Sequence, residues 1–277
     1  MKRIAVAAFT ALLLAGCAST APLAEGSAPQ LTTAPLAPSV PSDLPRNARP
    51  LHYAIDVMPD AQNLTFSGTE AVTLELFERT DTLTLHALEL DISMARLMPA
   101  DGSAQPVPLR IRMDTKDQTV RLTAPSALAP GRYRLDLSYT GKINTQANGL
   151  FALDYPDKRT GETKRGLFTQ FEAPDARRFA PMFDEPSYKA TFDLSATVPS
   201  GQMALSNMPV AGEQDLGNGT KRVTFRTSPK MSSYLLFFGL GDFERMAKPA
   251  AGGVEVGIVG PTGSGEQSRY ALDTLAP

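Results

Sequence analysis

The residues whose types and spacing could do chemistry lie between positions 169 and 189, in the run Thr-Gln-Phe-Glu-Ala-Pro-Asp-Ala-Arg-Arg-Phe-Ala-Pro-Met-Phe-Asp-Glu-Pro-Ser-Tyr-Lys. The alternation Phe168-Thr169-Gln170-Phe171-Glu172 predicts a strand with Gln170 and Glu172 on one face, because residues i and i+2 of a strand point the same way. Two polar groups so placed can meet one ligand together. A carboxylate facing a free amine forms a charge-assisted hydrogen bond, stronger than a neutral one. It also selects a chain end, since internal peptide nitrogens carry no charge. Taken alone, the pair reads as the solvated face of a strand, and only the run around it makes it a candidate site.

After Pro174 the spacing changes. Residues 175–178 predict one short helical turn, and Phe183-Asp184-Glu185-Pro186 predicts an extended or turn conformation before the proline. Asp184 and Glu185 are not read as a general acid–base pair. Adjacent side chains point in different directions, and Pro186 marks a turn. Arg177, Arg178, Asp175 and Asp184 are expected instead to form ion pairs that fix the loop behind the strand.

The chain has two histidines, His52 and His86, each inside an alternating run. Both are expected to be packed or surface residues. There is no His-Glu-x-x-His, and no spacing resembles a zinc site, so no metal ligand is expected in this segment. Cys17 is the only cysteine, which excludes an intrachain disulfide.

The run from Thr169 resembles the signature of the aminopeptidase N family of zinc metallopeptidases, which carry Thr-Gln-Phe-Glu, then Asp-Ala-Arg-Arg, then Phe-Asp-Glu-Pro, Lys-Ala and Thr-Phe. Here Lys189-Ala190 and Thr191-Phe192 complete it. Pro-Leu-His-Tyr-Ala-Ile (50–55), Phe66-Ser67-Gly68, Leu85-His86-Ala87 and the segment 234–244 ending Gly-Asp-Phe-Glu are similar to the family in the expected order. The resemblance covers about residues 48–277. One departure is Phe179-Ala180-Pro181-Met182, where the family commonly reads Ala-Phe-Pro-Cys. The resemblance implies that Glu172 helps hold the free α-amine of a peptide and that Gln170 lines the pocket for its first side chain. It also implies zinc in the complete enzyme, on residues beyond this segment, where a zinc-bound water attacks the first peptide bond.

The N-terminus carries an address. Lys2-Arg3 and the apolar run 4–14 form an export signal too short to span a membrane. Leu14-Ala15-Gly16-Cys17 resembles a bacterial lipobox, which implies that residues 1–17 are a lipoprotein signal and that Cys17 is acylated. An ordinary signal with a chance cysteine is the alternative. Residues 18–49, with six prolines among Ala, Ser and Thr, predict a disordered, extended spacer. The expected location is the bacterial cell envelope, lipid-anchored, at the outer membrane or facing the periplasm. Formal net charge is −2, or −4 once Lys2 and Arg3 are removed (−2 minus 2). No basic stripe with interleaved aromatics points to nucleic acid.

These residues need a scaffold, and from Leu51 onward the period is mostly two. Residues 70–76, 82–86, 132–139, 190–198 and 221–226 alternate, and 109–113 and 119–122 predict a pair joined by 114–117. The nearly continuous apolar run 234–240 predicts a central strand. Turn signals recur every ten to fifteen residues. The pattern predicts an all-β fold, an antiparallel β-sandwich, which the resemblance identifies with the saddle-like N-terminal domain of the family. That domain is expected over 50–260. Ser264 and Gln267 predict a capping box, and 261–277 reads as the start of a truncated catalytic domain, a helix with nothing to pack on.

The expected function is therefore substrate-amine recognition within a zinc aminopeptidase acting on peptides with a free N-terminus, with the C-terminal catalytic domain as a missing partner and this segment inactive alone. A non-catalytic, lipid-anchored β-sandwich that binds peptide N-termini, or one with a structural envelope role, stays open at this point.

Overall fold

The computed structural model describes residues 33–275. The segment expected to be a signal, with Cys17, and the expected spacer as far as residue 32 lie outside them. The chain runs through β1 (Ala48–Asp60), β2 (Thr65–Leu76), β3 (Thr80–His86), β4 (Leu90–Pro99), β5 (Val107–Pro108), β6 (Arg110–Asp114), β7 (Thr119–Leu128), β8 (Gly131–Lys142), β9 (Gly149–Pro156) and β10 (Thr163–Gln170). It continues through β11 (Thr191–Pro199), β12 (Met203–Ser206), β13 (Val210–Asp215), β14 (Thr220–Phe225), β15 (Phe238–Gly241), β16 (Phe243–Pro249), β17 (Glu255–Pro261) and helix α1 (Gly265–Leu275).

The fold is all-β. An eight-stranded sheet has the order β13-β14-β11-β1-β2-β8-β4-β5, a four-stranded sheet β12-β15-β10-β9, and a three-stranded sheet β3-β7-β6. One buried cluster draws on all three, from Leu74 and Leu135 to Leu85, Val120, Leu167 and Phe238. The alternation is the cause. In β2, Phe66, Val72 and Leu74 are buried while Ser67, Ala71 and Thr73 are not, so one face drives apolar surface out of water. The predicted pair is β6 and β7, and Asp114 Oδ1 shapes its turn by accepting from the Lys116 and Asp117 amides at 3.1 and 3.2 Å.

Several expectations are corrected. The sheets are antiparallel except at β1 and β11, which pair in parallel from His52↔Thr191 to Val57↔Ala196. A parallel pair needs a crossover, and the chemistry-bearing loop is the last stretch of that crossover. The extended spacer expected over 18–49 does not hold for its described part. Leu36 and Leu44 are buried in the core, and Glu75 Oε2 accepts from the Thr33 amide at 2.8 Å. The two leucines supply the apolar surface that a Pro/Ala spacer lacks.

The strand expected over 234–240 starts only at Phe238. Residues Ser233–Leu235 form a 3-10 turn instead. The capping box is not made, because Ser264 Oγ has no hydrogen-bond partner among the described residues and the turn is closed by its backbone carbonyl. Nor is the final helix unpartnered. Leu272 of α1 is buried, and Lys248 of β16 bonds Asp273 at 3.0 Å. The β16–β17 hairpin runs to Pro261.

Glu70, in β2, has its carboxyl on the core side. It is 3% exposed, and neither oxygen has a hydrogen-bond partner among the described residues. Burial pushes its pKa well above the ordinary 4.5. The folded chain thus holds the proton to higher pH than the unfolded chain does, so this contribution is complete below the unfolded value and is lost as pH rises toward the folded one. Glu70→Gln, neutral and isosteric, is expected to match the parent's urea midpoint at about pH 4 and to exceed it at about pH 8. Equal midpoints at both pH values would show that Glu70 is not buried in this way.

Candidate functional site

The site is a strand end in front of an ion-paired loop. Strand β10 carries the chain up to Gln170, which sits opposite Gly149 of β9. Gly149 has φ +62°, and a Cβ there would lie 2.9 Å from Arg178 Cβ; only glycine fits both conditions. The expected strand stops two residues short of placing its pair. Gln170 is its last residue, and Glu172 begins the turn that follows. The two are not neighbours on one pleated face, because the chain turns after Gln170 as Phe171 packs inward on Phe179. They stay together nonetheless. Gln170 Nε2 lies 3.5 Å from the Glu172 carbonyl oxygen, and both side chains are exposed while Phe171 between them is buried.

Behind them the loop is held rigid. The helical turn expected at 175–178 is a 3-10 turn, Ala176–Arg178. Arg177 points inward. Its Nε donates to Asp184 Oδ2 at 3.1 Å, its own amide to the same oxygen at 3.2 Å, Nη2 to the Asp184 carbonyl at 3.2 Å and Nη1 to Gln118 at 3.0 Å. Ser233 Oγ donates to Asp184 Oδ1 at 2.5 Å. Arg178 points outward to Asp175 at 2.7 Å and Glu89 at 2.5 Å. Asp184 is thus a structural anion, as the reading of Asp184-Glu185 anticipated, and the ion pairs lie where they were expected.

Aromatic packing completes the backing. Phe171 and Phe179 have centroids 5.3 Å apart, Phe66 and Phe179 5.8 Å, and Phe183 and Tyr188 5.2 Å. Tyr53 Oη accepts from the Phe183 amide at 3.1 Å, and its ring stacks on Phe192 at 5.0 Å. Met182, at the departure from the family pattern, is fully buried and exchanges backbone hydrogen bonds with His86 at 2.8 and 2.9 Å.

Sequence reasoning missed Gln118, Glu89, Ser233 and Tyr53 as supports of the loop. Tyr53 alone left a signal, inside Pro-Leu-His-Tyr-Ala-Ile. The histidines sit apart in role. His52 bonds Thr191 Oγ1 at 2.8 Å and Asp193 at 3.3 Å. His86 is 1% exposed. Burial, then the Arg177 charge, lowers its pKa to about 4, with Asp43 opposing. No spacing suggested it, but the fold brings Asp43, His86 and Glu185 together.

On the same face of β10 as Gln170 lies Phe168, which borders an apolar groove with Leu153, Tyr155, Phe237, Phe243 and Val259. Leu153 is 54% exposed, so apolar surface faces outward beside the polar pair.

These features define an all-β domain that presents acceptor groups at a strand end. The family model for the peptidase M1 N-terminal domain matches residues 49–235. The chain is 38% identical to aminopeptidase N of Acetobacter pasteurianus over 229 residues, covering 83% of this chain and 62% of that protein. It is 37% identical to puromycin-sensitive aminopeptidase of Caenorhabditis elegans and 32% identical to endoplasmic reticulum aminopeptidase 1 of Homo sapiens, each over 83% of this chain and 24% of the relative. The chain belongs to the peptidase M1 family through its N-terminal domain. The family is one of aminopeptidases, hydrolases that are generally zinc-dependent. This chain spans less than two thirds of the length of these relatives, and its 277 residues hold no His-Glu-x-x-His to take such a zinc.

Removing Asp184 tests the loop's backing. Asp184→Ala leaves Arg177 buried with an uncompensated charge, a change that costs about 3–5 kcal/mol. Urea denaturation is expected to show a loss of that size, with a smaller loss for Asp184→Asn, which keeps an acceptor. A loss below about 1 kcal/mol, the range of an exposed pair, would place the pair in solvent.

Proposed function

We propose that this chain is the amine-recognising part of an M1 aminopeptidase, with Glu172 binding the free α-amine of a peptide and Gln170 lining the pocket for its first side chain. The observation that carries this reading is the exposure of both polar groups at the end of β10, directly in front of a loop locked by the Arg177–Asp184 pair. A carboxylate carried on an anchored backbone leaves only its own side chain to be ordered when it binds an ammonium. The apolar groove around Phe168 and Phe243 supports a second part of the reading. A catalytic domain docked there would close the substrate site between the two domains. Residues 261–277 lead into that domain, and zinc in the complete enzyme is held there.

A peptide amine has a pKa of about 7.7–8.0, so it is largely protonated at neutral pH and donates to a carboxylate. One charge-assisted hydrogen bond is worth about 1.5–3 kcal/mol. Glu172→Gln keeps the shape and removes the charge. In the complete enzyme it is expected to lower kcat/KM about ten- to hundredfold, with circular dichroism unchanged. Unchanged kinetics in a folded variant would return Glu172 to the role of a solvated turn residue. The 277-residue chain alone is expected not to turn over amino-acid anilides; turnover would show that it contains a complete active site.

The same reading includes an anchor. Cys17 lies outside the described residues, and its sequence context supports acylation at the end of a lipoprotein signal, which would hold the domain at the bacterial envelope. Two or three acyl chains give stable attachment where one gives only marginal binding. Mass spectrometry of the mature N-terminus is expected to find acylated Cys17. An unmodified terminus at Ala18 or later would assign the segment to an ordinary export signal.

A further inference from the structure

Three parts of the chain that are remote in sequence meet at one point. Asp43 comes from the segment before β1, His86 from the end of β3, and Glu185 from the loop after the 3-10 turn. One carboxylate oxygen of each acid and one ring nitrogen of His86 lie within 4.8 Å of one another. We propose that these three side chains form a site for a divalent transition metal of the zinc class, separate from the catalytic zinc of the family.

The ring of His86 carries the inference. It is 1% exposed, and Nδ1 is shut off from solvent with no hydrogen-bond partner among the described residues. Glu185 presents a second orphan. Its Oε1 accepts from the Asp43 and Leu44 amides at 2.8 and 3.2 Å, whereas Oε2 is inaccessible to solvent and accepts nothing among the described residues. Buried polar atoms are ordinarily satisfied, and each exception calls for an explanation. A cation within the cluster would accept one lone pair from the imidazole and one from each carboxylate, in a group of side chains that otherwise carries two orphaned polar atoms.

The donor set selects the metal. Imidazole with carboxylate suits zinc and its neighbours, whereas calcium and magnesium prefer oxygen alone. Three protein ligands leave a position for water, and exposed Asp43 opens the cluster to solvent on one side. Charge is favourable as well. The guanidinium of Arg177 acts on the ring, but that guanidinium is engaged by Asp184 at 3.1 Å and by Gln118 at 3.0 Å. The two carboxylates of the cluster remain to balance a dication.

Such an ion would staple the segment before β1 to the back of the loop that backs Glu172. Its effect would be structural. The segment contributes Leu36 and Leu44 to the core, and the ion would tie it down at Asp43 as well.

The test uses the 277-residue chain, stripped with chelator and titrated calorimetrically with Zn2+, then with Ca2+, while thermal unfolding is followed. One equivalent of Zn2+ is expected to bind saturably and to raise Tm as its concentration rises. Ca2+ is expected to bind far more weakly. Asp43→Asn removes an exposed ligand and leaves the core intact, so it is expected to fold. It should weaken Zn2+ binding by about tenfold or more, since even residues behind the ligands cost 10–100-fold. Glu185→Gln keeps the acceptor for the two amides and is expected to do the same. His52→Asn, at the chain's other histidine, is expected to leave binding unchanged. The proposal is overturned by any of four results: no saturable Zn2+ binding, wild-type affinity in folded Asp43→Asn, equal affinity for Ca2+, which would mark a carboxylate cluster only, or loss of binding in His52→Asn.

Discussion

The buried pair of Arg177 and Asp184 is the constraint on which the rest depends. Both side chains lie within the core, at 9% and 2% exposure, where an unpaired charge would be very costly. They are tolerable because each ion makes several hydrogen bonds. Asp184 takes a guanidinium, a backbone amide and a hydroxyl, and Arg177 also reaches Gln118 and a carbonyl. Those partners come from the loop itself, from the turn before β7 and from the turn before β15. One ion pair therefore sets the distance between three parts of the chain.

That geometry fixes the backbone behind an exposed strand end. Gln170 and Glu172 face solvent, but their backbone is anchored on the core. Phe171 between them is buried against Phe179, which is itself packed on Phe66 of β2. Arg178 ties the outer side of the turn to Asp175 and Glu89. Rigidity lies behind the site and water in front of it, an arrangement that lowers the ordering cost of binding. Membership of the M1 family gives this arrangement its context.

The parallel pairing of β1 and β11 has a related consequence. The chain leaves β10, makes the ion-paired loop and returns beside β1 in register His52↔Thr191. The loop is thus bounded on both sides by sheet. Tyr53 is placed by this pairing to stack on Phe192 and to cap the Phe183 amide. Its hydroxyl belongs to β1, more than a hundred residues before the loop it supports.

Local pattern determined a great deal here. Period-two alternation was enough for an all-β fold, because the side chains of a half-buried strand must alternate. The adjacency of Asp184 and Glu185 before Pro186 was enough to exclude an acid–base pair, and the opposite charges at 175, 177, 178 and 184 were enough to expect ion pairs. The long run from Thr169 to Lys189, and not the pair alone, was what made Gln170 and Glu172 candidates. Tertiary structure alone decided the rest. It ended β10 at Gln170 and moved Glu172 into a turn, because the aromatic packing of Phe171 and Phe179 outweighs strand propensity. It drew Leu36 and Leu44 out of a proline-rich segment into the core, since burial depends on what lies opposite and not on local composition. It paired β1 with β11 in parallel, and it gathered Asp43, His86 and Glu185 from positions with no common spacing. Sequence period reports which face a side chain takes; only the packed chain determines which distant face it meets.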